Sequence, residues 1–151
     1  MATILGRVSF AMLLSAFFTS TLHAQSIDGP AGEKIFVNVT QNRELVGTPI
    51  ELDTIKAITG FGEVAMPLAK IDGIKLHVDA DDSAVIAFKN GDLVTAKVNL
   101  EQISLKTVWG KAHIKLDQIE TIVANSRARF YPETANGAKG WRFSNGQPVE
   151  P

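Results

Sequence analysis

Three acidic side chains and a histidine lie close together in the middle of the chain, where segment 77–82 contains His77, Asp79, Asp81 and Asp82. Carboxylate oxygens are the ligands that calcium prefers, so the three aspartates are weak candidates for a metal site. The segment lacks the spaced glycine and the distant glutamate of a calcium-binding loop. A solvated acidic linker is the favoured interpretation, and we expect no cofactor.

His113 lies between Lys111 and Lys115 in a segment that alternates apolar and polar residues. This phase predicts an outward imidazole with no buried carboxylate to activate it as a base. The chain contains no G-x-S-x-G, H-E-x-x-H, phosphate-binding or dinucleotide-binding motif, and it has no cysteine. The sequence therefore favours a protein that is not an enzyme. An enzyme of unfamiliar type would need His77 or His113 beside a carboxylate in a pocket.

Phe61 and Trp109 each precede a glycine, at corresponding positions of two similar segments. Two such aromatics could stack on a sugar ring or bind a partner side chain, and Trp141 could join them. The alternative is that each ring folds over the end of its own β unit. The three residues are the candidate ligand-binding or partner-binding aromatics.

The two segments form an internal repeat. Shifting the sequence by 48 positions aligns residues 37–74 with 85–122 without a gap, with eleven identities in thirty-eight positions. Chance similarity would rarely align both the turn residues and the apolar phase. We therefore expect a duplicated unit, with the repeats at residues 33–78 and 82–125.

Each repeat is typical of short β-strands with period-two alternation. In the second repeat, residues 84–88 and 93–100 flank the turn Asn90-Gly91, strands at 103–108 and 111–116 follow, and 117–123 contains a helical turn and a closing strand. In the first repeat Arg43 replaces Gly91, so its first hairpin needs a different turn. Residues 126–151 form an irregular tail with Phe130, Tyr131, Trp141 and Phe143 among Gly and Asn, which either straps across a barrel or remains flexible.

The N-terminal residues 1–24 are typical of a signal peptide. Arg7 is followed by the apolar run 8–18, which is too short to span a bilayer, and the small Ala24 favours cleavage after it. An uncleaved, membrane-tethering N-terminus is the alternative. We expect an exported protein, periplasmic or extracellular, with no stable membrane span after cleavage.

The residues Val85 to Asp92, followed by Val94, Ala96 and Val98, resemble the first motif of the Sm-like barrel family, although Ala96 stands where that family has a glycine. The repeat also looks like a tandem β repeat of uncharacterised exported bacterial proteins. The resemblance implies an all-β fold of two tandem five-stranded Sm-like barrels. It does not extend to RNA binding, because the formal net charge is -1.

The outward faces of the two repeats differ. Ile58, Ala65 and Pro67 replace the basic or polar residues Lys106, His113 and Lys115 of the second repeat. An outward apolar surface usually covers another part of the chain or a partner. The sequence therefore favours a module that binds an unknown protein or envelope component, and no nucleic acid. The alternative is a glycan-binding or small-ligand-binding module.

Overall fold

The computed structural model describes residues 32–40, 42–135 and 138–146. Strand accounts for 63% of the described residues and helix for 5%, which confirms the predicted all-β class. The expected signal peptide 1–24 lies outside the described residues. The strands are β1 (Ile35–Val39), β2 (Arg43–Pro49), β3 (Thr54–Thr59), β4 (Gly62–Pro67), β5 (Ile71–Lys75), β6 (Ala84–Phe88), β7 (Leu93–Val98), β8 (Gln102–Thr107), β9 (Gly110–Lys115), β10 (Ile119–Val123), β11 (Arg129–Ala135) and β12 (Ala138–Ser144).

Alternating burial explains why the short segments form strands. In β3, Ile55 and Ala57 are 1% and 0% exposed, whereas Lys56 between them faces solvent. Successive strand residues point to opposite faces, so this period matches one buried face. Burial of an isoleucine side chain such as that of Ile55 stabilises the folded state by about 1.5–3 kcal/mol relative to leaving it exposed. Single 3-10 turns, Leu68–Lys70 and Leu116–Gln118, lead into β5 and β10, and the second confirms the predicted helical turn.

Ten strands form one antiparallel order, β4-β3-β7-β6-β5-β10-β1-β2-β8-β9. The first half of the chain, β1 to β5, and the second half, β6 to β10, exchange pairing partners in this order. Strand β2 pairs with β8 of the second half, and β7 pairs with β3 of the first half. The first five strands of this order, β4-β3-β7-β6-β5, therefore combine three strands of the first half with two of the second. The last five, β10-β1-β2-β8-β9, combine three strands of the second half with two of the first.

This exchange changes the predicted architecture. In the described part of the chain, β4 and β9 are the free ends of the order and the strands form no closed barrel. The prediction of two separate tandem barrels is therefore not confirmed. Alternation in the sequence predicts strands and their faces, but similar strands in the two halves offer a hairpin two possible partners. In the structure, the β1–β2 hairpin pairs through β2 with β8, and the β6–β7 hairpin pairs through β7 with β3.

The ladders of the two halves have matching registers. At the centre, Ile74 of β5 lies opposite Ile122 of β10. On the two sides of this pair, Val37 lies opposite Ile122 and Ile86 lies opposite Ile74. The corresponding residues Val37 and Ile86 are 49 positions apart, whereas Ile74 and Ile122 are 48 apart. The gap-free alignment thus fits β3 to β5 but is one residue out for β1 and β2.

The C-terminal segment is a β-hairpin in the described residues, so the prediction of an irregular tail is wrong for β11 and β12. Phe130 lies opposite Phe143, with ring centroids 4.8 Å apart. Both rings stand over Gly73 of β5, where an added Cβ would lie 2.7 Å from Phe143 Cε2. The absence of a side chain at Gly73 is therefore what lets the hairpin lie across the central strands. This is the strapping arrangement that the sequence left open.

Candidate functional site

Two hairpin tips carry Phe61 and Trp109, and they have the same local construction. In the first tip, Thr59 Oγ1 donates to the Gly62 carbonyl oxygen at 2.8 Å, and in the second Thr107 Oγ1 donates to the Gly110 carbonyl oxygen at 2.8 Å. Both glycines have positive φ, +123° and +135°, which only glycine adopts readily. The hydroxyl bond and the glycine together fix the backbone of each two-residue tip.

The tips expose large apolar side chains. Phe61 is 80% exposed and Trp109 is 65% exposed, and Val108 beside it is 99% exposed. The rings therefore do not fold over the ends of their own β units, and that alternative is wrong. The two tips lie on β3–β4 and β8–β9, at opposite ends of the strand order.

Trp141 is separated from the tips by its place in the C-terminal hairpin. It lies on β12 opposite Pro132 and is half-buried. Lys75 Nζ lies 5.4 Å from the centroid of its ring, at the distance of a cation–π contact. The ring therefore contacts β5 from the C-terminal hairpin, and binding of a ligand or partner by Trp141 stays a prediction.

The face of Ile58, Ala65 and Pro67 is exposed, and Ile58 is 51% exposed. The neighbours of Ile58 on adjacent strands are Glu63 and Lys97, so charges interrupt the apolar surface. The face therefore does not cover the second half of the chain, which contacts β3 through the β7 ladder instead. Binding of another protein by this face stays a prediction.

His77 and Asp82 form an ion pair in the loop between the halves. His77 Nδ1 lies 2.8 Å from Asp82 Oδ1, and His77 Nε2 lies 3.3 Å from the Leu116 carbonyl oxygen. Both acceptors favour a protonated ring nitrogen, so the hydrogen bond to Asp82 raises the pKa of His77 above 6.5. The imidazolium form has no free lone pair with which to bind a metal or accept a proton.

The Asp79 carboxylate of the same loop binds backbone amides. Asp79 Oδ1 accepts hydrogen bonds from the Asp81 and Ser83 amides, each at 3.0 Å. The bond from the Ser83 amide lowers the pKa of Asp79. Within the described residues, no three His, Asp or Glu side chains are grouped to hold a metal ion. The arrangement of Asp79, Asp81 and Asp82 is that of a turn rather than an ion site.

Ser104 and His113 form a pair that the sequence did not predict. Ser104 Oγ lies 2.8 Å from His113 Nδ1 across the β8–β9 ladder. His113 is exposed, as predicted, and no carboxylate of the described residues bonds to it. A hydroxyl beside an unsupported surface imidazole lacks the orienting third group of a nucleophilic site. The pair is a cross-strand hydrogen bond.

A groove of about 360 Å³ opens beside the central strands, and we call it the first groove. Its walls are aliphatic, and its charged lining residues are all acidic: Glu33, Asp53 and Asp72. Glu33 and Asp53 are exposed and Asp72 is half-buried, so the three acidic residues form the rim of the groove. Lys89 Nζ lies 3.1 Å from Glu33 Oε2, so one of these carboxylates is paired. The aliphatic lining residues are Ile35, Pro49, Leu52, Leu68, Ala69, Ile71, Ile122, Val123 and Ala124.

A second groove of about 340 Å³ occupies the corresponding place in the other half of the fold. Leu100, Glu101 and Leu116 line it where Leu52, Asp53 and Leu68 line the first. Two other corresponding positions differ in charge: Lys97 replaces Thr48, and Asp117 replaces Ala69. The second groove therefore mixes basic and acidic groups, whereas the first is apolar with an acidic rim.

The sequence alone did not indicate either groove. Glu33, Asp53 and Asp72 are far apart along the chain and form no motif. The loop after β2 is one residue longer than the loop after β7. The gap-free alignment concealed this difference, and with it the correspondence of Thr48 and Lys97.

No described helix has the length and apolar character needed to cross a membrane. Comparison with known proteins gave no matching family model, no matching curated protein and no matching solved structure.

Proposed function

We propose that this chain is an exported, non-enzymatic interaction module that binds a protein of the cell envelope through its hairpin tips. The observation that carries the proposal is the exposure of Phe61, Val108 and Trp109 on tips that a threonine hydroxyl fixes. An exposed apolar side chain gains most by burial in a partner, and a turn backbone that is already fixed loses little conformational entropy on binding. Export rests on the N-terminal residues 1–24.

The two tips support a partner that is contacted at two places. Matching ladder registers, which we interpret as the result of a duplication, give both halves the same tip construction. The difference between Phe61 and Val108-Trp109 then allows the tips to bind unlike surfaces. Two modest contacts on one rigid body strengthen each other through effective concentration.

Co-purification from the native envelope tests this function. The full-length tagged chain should retain a defined partner, and Phe61→Ser with Trp109→Ser should lose it. Leu93→Ser with Tyr131→Ser is the matched control, because these residues are 45% and 51% exposed but lie away from the tips. Equal retention by all three proteins would refute the proposal.

The second candidate is a glycan-binding module, which the exposed indole of Trp109 favours. Titration of tryptophan fluorescence against envelope glycans separates the two functions. A saturable change that Trp109→Ala abolishes supports glycan binding. The separation of the two tips in the strand order argues against one shared stacking platform and favours the protein partner.

A further inference from the structure

We infer that the first groove is a second binding site, which takes a short peptide segment with an aliphatic side chain flanked by basic ones. This site is distinct from the hairpin tips, because none of Phe61, Val108 and Trp109 lines it. The occupant belongs to a partner protein rather than to this chain.

The apolar part of the argument is the groove itself. A volume of about 360 Å³ lies within the range of ligand sites, and aliphatic residues form most of the lining. Water in contact with such walls is released when an aliphatic side chain enters, which favours binding. The space suits side chains that project from a peptide whose backbone stays outside.

The charge of the rim indicates which side chains should flank the inserted aliphatic group of the peptide. Asp53 and Asp72 are lining residues, and Lys89 is paired with Glu33 alone. Basic side chains that flank the inserted aliphatic group would therefore meet carboxylates of the rim. An acidic segment would instead meet like charge.

The second groove provides an internal comparison. It has nearly the same volume, and two of its leucines correspond to those of the first groove, yet Lys97, Lys115 and His77 line it together with acidic residues. The fold therefore tolerates charges of both signs in this niche. The first groove has aliphatic walls and only acidic charged residues because of its own side chains, Thr48 and Ala69 among them. The architecture does not require this combination.

After the proposed cleavage behind Ala24, the segment of this chain that remains before Gly32 is a poorer occupant. Residues 25–31 contain one aliphatic candidate, Ile27, followed directly by Asp28, and no basic residue. Insertion of Ile27 would bring another carboxylate to the acidic rim. Charge complementarity thus favours an external basic segment.

The test uses the full-length chain and three synthetic peptides. The probe is acetyl-Lys-Leu-Val-Lys-amide, and its two controls replace both lysines by glutamate or both apolar residues by serine. Amide chemical shifts of Gly73 and Ala124, both in the groove lining, report binding at the site. We expect saturable shifts with the probe that weaken as ionic strength rises, and none with either control peptide at the same millimolar concentration.

Asp53→Asn with Asp72→Asn should weaken binding of the probe about three- to tenfold, as two partly exposed ion pairs require. The matched control is Glu101→Gln with Glu120→Gln, which removes the same charge at the corresponding positions of the other half and should leave binding unchanged. Phe61→Ser with Trp109→Ser should also leave it unchanged, so failure of this site and failure of the proposed tip function are distinguishable.

Several results would overturn the inference. These are no shift of Gly73 and Ala124 with the probe, equal binding of the glutamate peptide, and equal weakening by the control pair of variants. Equally tight binding of hexylammonium would assign the groove to a small cation instead of a peptide. Shifts of residues 25–31 that accompany those of Gly73 would mean that the chain's own N-terminal segment fills the groove and that the peptide displaces it.

Discussion

Ile74 and Ile122 face each other at the centre of the ten-stranded order, and they occupy corresponding positions of the two halves. They are 1% and 4% exposed. Around this pair the ladders of β1 with β10 and of β6 with β5 have the same register. The pair therefore marks the pseudo-twofold relation that gives the molecule two similar tips and two similar grooves.

Truncation of this central pair should be costly. Ile74→Ala removes buried carbon atoms in a place where both neighbouring strands restrict relaxation, so we expect a loss of about 2–5 kcal/mol in the free energy of unfolding. Ile58→Ala, at an exposed position of β3, should change it by about 0.5 kcal/mol or less. Urea denaturation followed by circular dichroism measures both, and similar losses for the two variants would contradict the assignment of the core.

Gly73→Ala should release the C-terminal hairpin. The new Cβ would lie 2.7 Å from Phe143 Cε2 and 3.0 Å from Phe130 Cε2, so the phenylalanines must move at a cost of about 1–3 kcal/mol. In a Trp109→Phe background, the fluorescence of Trp141 reports the change as exposure of its indole to solvent. Gly140→Ala, whose added Cβ would be 3.9 Å from its nearest neighbour, is the control. Unchanged Trp141 emission in Gly73→Ala would contradict this docking.

Much of this architecture follows from local sequence patterns, and the remainder does not. Alternation around Ile55 and Ile103 predicts β3 and β8 and their buried faces, and the positive φ of Gly91 accords with the predicted Asn-Gly turn. Pairing of β2 with β8 is a choice between two similar partners, which period-two patterns do not distinguish. The C-terminal hairpin packs over Gly73, a residue distant in sequence, so the composition of residues 126–151 alone indicated only a tail.

The candidate site divides in the same way. Exposure of Phe61 and Trp109 could be foreseen as one of two alternatives, because each precedes the glycine of a tight turn. The first groove could not be foreseen, because its acidic residues Glu33, Asp53 and Asp72 lie on three separate segments that meet only in the folded chain.

Stability should depend on pH through His77. The hydrogen bond to Asp82 raises the pKa of His77 above 6.5, against the opposing effects of partial burial and Lys75. A raised folded-state pKa means that the contribution is fully present below about pH 6.5 and is lost as pH rises through the folded-state value. The lowered pKa of Asp79 acts only at lower pH, because it starts from 3.8.

Asp82→Asn should therefore flatten this dependence. Urea midpoints at about pH 5.5 and about pH 8.5 should differ in the wild type and converge in the variant. The imidazole proton shifts of His77 should titrate at a lower pH in Asp82→Asn than in the wild type. A titration midpoint that the substitution leaves in place would contradict the ion pair.

Engineered disulfides can test the exchange of strands, since the chain has no cysteine of its own. Thr48 lies opposite Lys106 in the β2–β8 ladder, so Thr48→Cys with Lys106→Cys should cross-link within the monomer. If each half closed on itself, Thr48 would instead lie opposite Ile58, the counterpart of Lys106. Mass spectrometry of the Thr48→Cys/Ile58→Cys protein should then find free thiols, and a disulfide there with none in the first pair would refute the exchange.

Site-specific photo-crosslinking in the native cells tests the proposed interaction function most directly. A benzoylphenylalanine at position 61 or 109 replaces an exposed aromatic with a reactive one of similar shape, and position 93, also exposed on a strand, is the control. We predict a discrete protein adduct from each tip position and none from position 93. Only uncross-linked chain at all three positions, or the same adducts at all three, would contradict binding through the hairpin tips.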